Sequence, residues 1–169
     1  VLLQPDTEPQ PGSASWFVNR VFAAPQTKWD IHRLPVNDIS QLSTLNADIV
    51  VCPNLKGFRP DTVTTLTTFC AEGNAILLML NPASTQHESM KTLLTQIGLT
   101  AKVKSGMQTV AWVDFQHPIF APFRDARFND FSSLRFQSYF SFPTIDTSSA
   151  TVLARFENNS PALVEIPYQ

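Results

Sequence analysis

Cysteine, serine and histidine are the side chains of this chain that could perform nucleophilic catalysis. Cys52 closes an apolar segment and Ser84 follows another, so both are candidate nucleophiles, with His117 as the candidate base. Cys52 is followed by Pro53, however, and a proline has no backbone N–H to donate to an oxyanion. Ser84 suits a helix cap better than a nucleophile. We therefore predict no catalytic residue.

Metal and cofactor sites are not predicted either. The chain has 2 cysteines and 3 histidines, which are too few and too widely separated for a metal site or a disulfide framework. It has 5 glycines and lacks the G-x-G-x-x-G and G-x-x-x-x-G-K-[ST] loops that bind phosphate through backbone N–H groups. We expect no cofactor, and we expect both thiols to be small buried apolar groups.

Composition excludes further classes of protein. Lys and Arg total 12 and Asp and Glu total 14, for a net charge of −2 without a basic cluster, which argues against nucleic-acid binding. Hydrophobic residues make up 43% of the 169 residues, enough for a folded core, but no apolar run reaches the roughly 20 residues of a membrane helix. We expect one domain over residues 1–169, cut from a larger protein.

The N-terminal half alternates short apolar segments with helical patterns, which is typical of a parallel α/β sheet. Strands are predicted at Val1–Leu3, Trp29–Leu34, Ala47–Cys52 and Ala75–Leu80, the last two buried. Helices are predicted from Ser13 or Ser15 to Ala23, from Pro60 to Gly73, and over Met90–Ile97. Five short C-terminal strands are predicted at Lys102–Ser105, Val110–Val113, Arg135–Ser141, Thr151–Phe156 and Ala162–Ile166.

An open α/β sheet binds ligands at the carboxyl ends of its strands, so polar residues that follow the two buried strands form a candidate surface. His117 precedes Pro118 and is predicted to start a short turn over Pro118–Phe123. The phenylalanines between residues 115 and 142 are predicted to form core or an exposed patch. The candidate ligand or partner surface consists of Asn54, Lys56, Asn81, Ser84, His117 and Arg124.

Several segments resemble a known family. Ala47–Val51, followed by Leu66, Phe69 and Gly73–Leu78, is similar to the core of class I glutamine amidotransferase-like domains. The C-terminal segments resemble the amidotransferase-like module of bacterial BatA-type proteins, which begin with a double-transmembrane aerotolerance-regulator segment. Those segments are His117–Phe123, Phe136–Phe140, Val152–Phe156 and Pro161–Glu165.

The resemblance implies a flavodoxin-like domain, with helices on both faces of a parallel sheet and additional short C-terminal strands. Active members carry a pattern similar to G-x-C-x-G after the strand that here ends at Leu80, where this chain has Asn81-Pro82. The resemblance therefore implies a non-catalytic domain of a bacterial envelope protein, outside the cytoplasm. Its partner would be a protein or other domains of the parent chain, and it would meet the membrane only through flanking segments.

Three functions remain open at this stage. The first is a non-catalytic interaction or sensing domain. The second is a degenerate amidotransferase-like hydrolase that uses Cys52 or Ser84 with His117. The third is an α/β subunit module of a gliding-motility-type transport complex.

Overall fold

The computed structural model describes residues 1–4, 9–23, 29–53, 58–143, 145 and 150–168. The chain divides into two compact units, Val1–Leu93 and Leu94–Gln169. The first unit contains a parallel sheet and the second an antiparallel sheet, each of four strands. The predicted α/β class is confirmed, whereas the single domain over residues 1–169 stays a prediction. No helix in the described ranges is long and apolar enough to cross a membrane.

The first unit has the predicted alternation of strands and helices. Its sheet has the order β2-β1-β3-β4, with β1 at Leu2–Gln4, β2 at Arg33–Pro35, β3 at Ile49–Pro53 and β4 at Ala75–Met79. The α-helices are α1 at Ala14–Phe22, α2 at Pro60–Ala71 and α3 at Glu88–Gln96, whose last residues belong to the second unit, and 3-10 helices span Val36–Thr44 and Ser84–Gln86. β2 is shorter than the predicted strand Trp29–Leu34. Trp29 is exposed, and β1 has only three residues with which β2 can pair.

β3 forms the centre of the core of the first unit. Val50, Val51, Cys52 and Pro53 are all buried. Successive side chains of a strand point to opposite faces, so both faces of β3 are covered, as its uninterrupted apolar pattern predicts.

β4 differs from the prediction that Ala75–Leu80 is buried. It lies at one edge of the sheet, and Leu77 and Met79 each keep 38% of their surface exposed. An apolar run indicates a strand, but it does not distinguish a central strand from an edge strand. The side of β4 away from β3 therefore presents unpaired backbone groups and apolar side chains within the described sheet.

Helix ends follow the sequence signals. Pro60 occupies the first turn of α2, where its missing N–H costs no helical hydrogen bond. Gly73 follows the helix at φ +93, a left-handed conformation that favours glycine, and Gly73 and Asn74 donate to Cys70 and Phe69 as in a Schellman motif. In α1, the Ser13 hydroxyl accepts from Trp16 N, which confirms the predicted serine cap.

The second unit is built from β5 at Lys102–Val113, β6 at Arg135–Ser141, β7 at Thr151–Phe156 and β8 at Pro161–Glu165, in the order β6-β5-β7-β8. β6 and β7 have the predicted bounds. The prediction of separate strands at Lys102–Ser105 and Val110–Val113 is wrong, because one strand continues through a register shift between Ser105 and Gln108. Gly106, at φ +136, lies within this bulge. β7 and β8 form a hairpin.

Candidate functional site

The turn after β4 is closed by reciprocal hydrogen bonds between Asn81 and Ser84. Ser84 N donates to Asn81 Oδ1 at 2.8 Å, Asn81 N donates to the Ser84 hydroxyl at 3.1 Å, and that hydroxyl donates to the Asn81 carbonyl at 2.9 Å. Ser84 is fully buried. Its hydroxyl therefore stabilises the turn, and it caps this turn rather than α3, which begins at Glu88.

Cys52, the other candidate nucleophile, is enclosed within β3. Burial, with a smaller contribution from Cys70, raises the pKa of the Cys52 thiol far above its ordinary value. A thiol attacks as the thiolate, so this environment opposes nucleophilic chemistry. Cys70 is half-buried in α2, more exposed than the predicted core position, and both cysteines are free. Asn54 and Lys56, predicted to follow this strand as site residues, lie outside the described residues.

His117 begins the 3-10 helix at Pro118–Phe123, as predicted. Its backbone is extended, and its Nδ1 accepts from Ile119 N at 3.4 Å. Its Nε2 lies 3.4 Å from a carboxylate oxygen of Glu165, at the end of β8. Both ring nitrogens thus have partners within the second unit, and the imidazole joins the start of this helix to the last strand.

Arg124, at the other end of the Pro118–Phe123 helix, stabilises the same segment. Its Nε donates to the Phe115 carbonyl at 2.7 Å and its Nη2 to the Gln116 carbonyl at 2.9 Å. The guanidinium therefore stabilises the chain between β5 and β6. Nearby, Asp125 and Arg127 are paired at 2.7 Å, and the hydrogen bonds from Arg127 lower the pKa of Asp125.

The sequence-predicted site residues do not form one catalytic group within either unit. In the described part of the chain, the histidine partners are carboxylates and one backbone N–H, and no serine hydroxyl or thiol is hydrogen-bonded to an imidazole. The described residues also contain no cluster of three or more His, Cys, Asp or Glu side chains able to hold a metal ion. Asn81 and Ser84 share a turn, whereas His117 and Arg124 stabilise the β5–β6 connection.

The connection between β5 and β6 combines a packed aromatic cluster with exposed apolar side chains. Phe115, Phe120, Phe123 and Phe131 have ring centroids 5.4 to 6.5 Å apart, mostly in edge-to-face contact. Phe128 is 59% exposed and Ile119 51% exposed. We call residues 115–134 the aromatic loop. The exposed patch predicted for the phenylalanines is present in this loop, whereas the predicted core role is not, because Phe115, Phe120 and Phe131 are half-buried and Phe123 is exposed.

The first unit has a polar groove, lined by Gln4, Trp16, Asn19, Arg20 and Arg33 among others, that was not predicted from the sequence. Asn19, on α1, is half-buried and binds both Gln4 and Arg33 through its side chain. As the polar positions of an apolar helix, Asn19 and Arg20 are predicted to face outward; Arg20 is exposed as predicted, whereas Asn19 is half-buried. The four-residue spacing of Trp16 and Arg20 was an available signal, since residues so spaced meet on a helix surface.

A scan against protein-family models, a search of curated proteins and a search of solved structures each give no match to this chain.

Proposed function

We propose that this chain is a non-catalytic, amidotransferase-like interaction domain of a bacterial envelope protein. The closed turn after β4 carries the proposal. At that position an active amidotransferase needs an exposed thiol, whereas this chain has Asn81, Pro82 and a buried serine held by three hydrogen bonds with Asn81. The alternative hydrolase would need Cys52 or Ser84 as nucleophile, and both are buried with no imidazole bonded to them in the described residues.

Strand order supports the finer assignment of the fold. A flavodoxin-like sheet has the order 2-1-3-4-5 with all strands parallel. The first unit has β2-β1-β3-β4, also all parallel, with α1 between β1 and β2 and α2 between β3 and β4. We propose that it is the flavodoxin-like core, with helices on both faces, and that the antiparallel sheet is the family's C-terminal addition.

The aromatic loop is the proposed contact surface of the domain. Its exposed members, Ile119, Phe123 and Phe128, belong to one short segment held by His117 and Arg124. Covering a large apolar side chain stabilises a complex by about 1.5–3 kcal/mol relative to leaving it in water. We propose a protein partner, another domain of the parent protein included, that presents an apolar surface. The location outside the cytoplasm rests on the family resemblance, and fractionation of cells that express the full-length protein tests it.

A glutamine-hydrolysis assay tests the non-catalytic part of the proposal. We expect ammonia release from glutamine to equal the rate without protein and to be unchanged in Cys52→Ala and Ser84→Ala variants. Turnover that either substitution abolishes would contradict the proposal and support the hydrolase.

Site-specific crosslinking tests the interaction part independently. A photoreactive phenylalanine analogue replaces Phe128 in the full-length protein, expressed in its own cells, with the same analogue at Lys104 as the matched exposed control in the same unit. We expect position 128 to give a defined protein adduct that position 104 does not give. Equal adducts at both positions, or none at 128, would contradict the proposed surface.

A further inference from the structure

A groove in the first unit is lined by two arginines and one tryptophan. Its volume is about 290 Å³, and its walls include Gln4, Trp16, Asn19, Arg20 and Arg33. Those residues come from the end of β1, from one side of α1 and from the start of β2. These residues all belong to the first unit, whereas the aromatic loop belongs to the second, and the proposed function does not use the groove.

Asn19 fixes the position of Arg33 in this groove. The Asn19 Oδ1 atom accepts from Arg33 Nε at 2.8 Å and from Gln4 Nε2 at 2.9 Å. The Asn19 amide nitrogen donates to the Ser15 carbonyl at 2.8 Å, which settles the orientation of the amide. Because Arg33 is held through Nε, its two terminal nitrogens remain available, and neither is hydrogen-bonded to a described residue. A guanidinium held this way can bind a carboxylate through two parallel hydrogen bonds.

Arg20 adds a second positive charge beside an apolar surface. Its guanidinium carbon lies 4.8 Å from the centre of the Trp16 ring, a cation–π contact. Three other basic residues in the described ranges are paired with a carboxylate: Arg59 with Asp61, Lys91 with Glu88 and Arg127 with Asp125. In the described ranges, no carboxylate forms a salt bridge with Arg20 or Arg33. Among the described residues, the groove therefore combines an indole ring with two guanidinium groups that form no salt bridge with a carboxylate.

We propose that this groove binds a small organic anion, with its carboxylate on Arg33 and its apolar body against Trp16. The volume of about 290 Å³ is near the lower limit of small-molecule sites, roughly 300–1,000 Å³, so the ligand is small. Arg20 adds long-range attraction for the negative charge. The ligand class is thus a monocarboxylate with a compact apolar or aromatic body.

Titration with benzoate, followed by NMR of the tryptophan indole N–H groups, tests the proposal. We expect a saturable shift of the Trp16 signal at millimolar benzoate, with the Trp29 and Trp112 signals unmoved. Benzamide, which has the same ring without the charge, should bind at least tenfold more weakly. Inorganic phosphate tests whether the groove binds any anion or requires a carboxylate with an apolar body. We expect it to bind at least tenfold more weakly than benzoate. Equal affinity for benzoate and either control compound would overturn the assignment.

Substitutions test whether benzoate binds at Arg33. Arg33→Gln should weaken benzoate binding at least tenfold, and Arg33→Lys, which keeps the charge but loses the planar fork, should weaken it by an intermediate factor. Arg135→Gln, on exposed β6 of the second unit, is the matched control and should leave the affinity unchanged. Circular dichroism checks that each variant is folded. Absence of a saturable Trp16 shift in the wild type, or the same affinity in Arg33→Gln, would overturn the proposal.

Discussion

Ser84 shows how a single buried hydroxyl can determine a local structure. It accepts from Asn81 N and donates to the Asn81 carbonyl, which also accepts from Thr85 N at 3.3 Å. Serine at a strand-to-helix junction is also where a nucleophile would be sought, so its burial and its partners decide between the two roles. Here they favour the structural role.

The Ser84→Ala substitution should reduce stability. It removes the buried hydroxyl that accepts from Asn81 N and donates to the Asn81 carbonyl, and the loss of these hydrogen bonds costs about 1–3 kcal/mol. Urea unfolding followed by circular dichroism measures the loss. Ser43→Ala is the matched control, because Ser43 is exposed and its hydroxyl bonds only the nearby Ser40 carbonyl, so we expect a change within about 0.5 kcal/mol. Equal losses in both variants would contradict the role given to Ser84.

Cys52 should make stability depend on alkaline pH. Burial raises the pKa of its thiol in the folded state, whereas the unfolded thiol ionises near its ordinary pKa of about 8.5. The stabilisation is therefore complete below about pH 8.5 and is lost as the pH rises, because only the unfolded chain releases the proton. Between pH 7 and pH 9.5, the wild type should lose about 1.4 kcal/mol more unfolding free energy than Cys52→Ala. Urea titrations at both pH values measure this, and parallel pH profiles would contradict it.

Among the elements, β5 depends on one glycine to remain a single strand. Gly106 has φ +136, which L side chains rarely adopt, and a Cβ built there meets no atom within 4 Å. Position 106 therefore requires glycine because of its backbone conformation, and not because a side chain lacks space there. It explains how β5 can change register between Ser105 and Gln108 and still pair with β6 on both sides of the bulge.

The Gly106→Ala substitution should destabilise the protein by about 1–3 kcal/mol, the cost of holding an alanine in this conformation. Thermal and urea unfolding measure the effect. Ser105→Ala, at the neighbouring exposed position, should change stability by less than about 0.5 kcal/mol. A Gly106→Ala variant as stable as the wild type would mean that the bulge adapts to a side chain without strain.

The sequence is most informative where the signal is local. The proline and glycine at the ends of α2 depend on neighbouring residues and predict the bounds of this helix well, and β6 and β7 also have the predicted bounds. The capping role of His117 follows from the proline beside it. The edge position of β4 and the bond between Asn19 and Arg33 depend on residues that meet only in the folded chain, so no local pattern indicates them.

Across the whole molecule, the two sheets differ in how far apart in sequence their strand partners lie. In the parallel sheet, Leu2 pairs with Val51, and β3 reaches β4 only through α2. In the antiparallel sheet, β7 and β8 are joined by Glu157–Ser160, a turn in which Phe156 N donates to the Ser160 carbonyl at 2.9 Å. Closing a short loop costs less chain entropy than closing a long one.

This difference in sequence separation predicts the order in which the strands pair during folding. The strands of the β7–β8 hairpin can meet early during refolding, whereas β1 must wait for chain segments made distant by the intervening helices. In pulse-labelling hydrogen exchange, amides in Thr151–Glu165 should gain protection before those in Leu2–Gln4. Earlier protection of the N-terminal strand would reverse this order. The last strands of the chain would then follow, and not precede, the assembly of the parallel sheet.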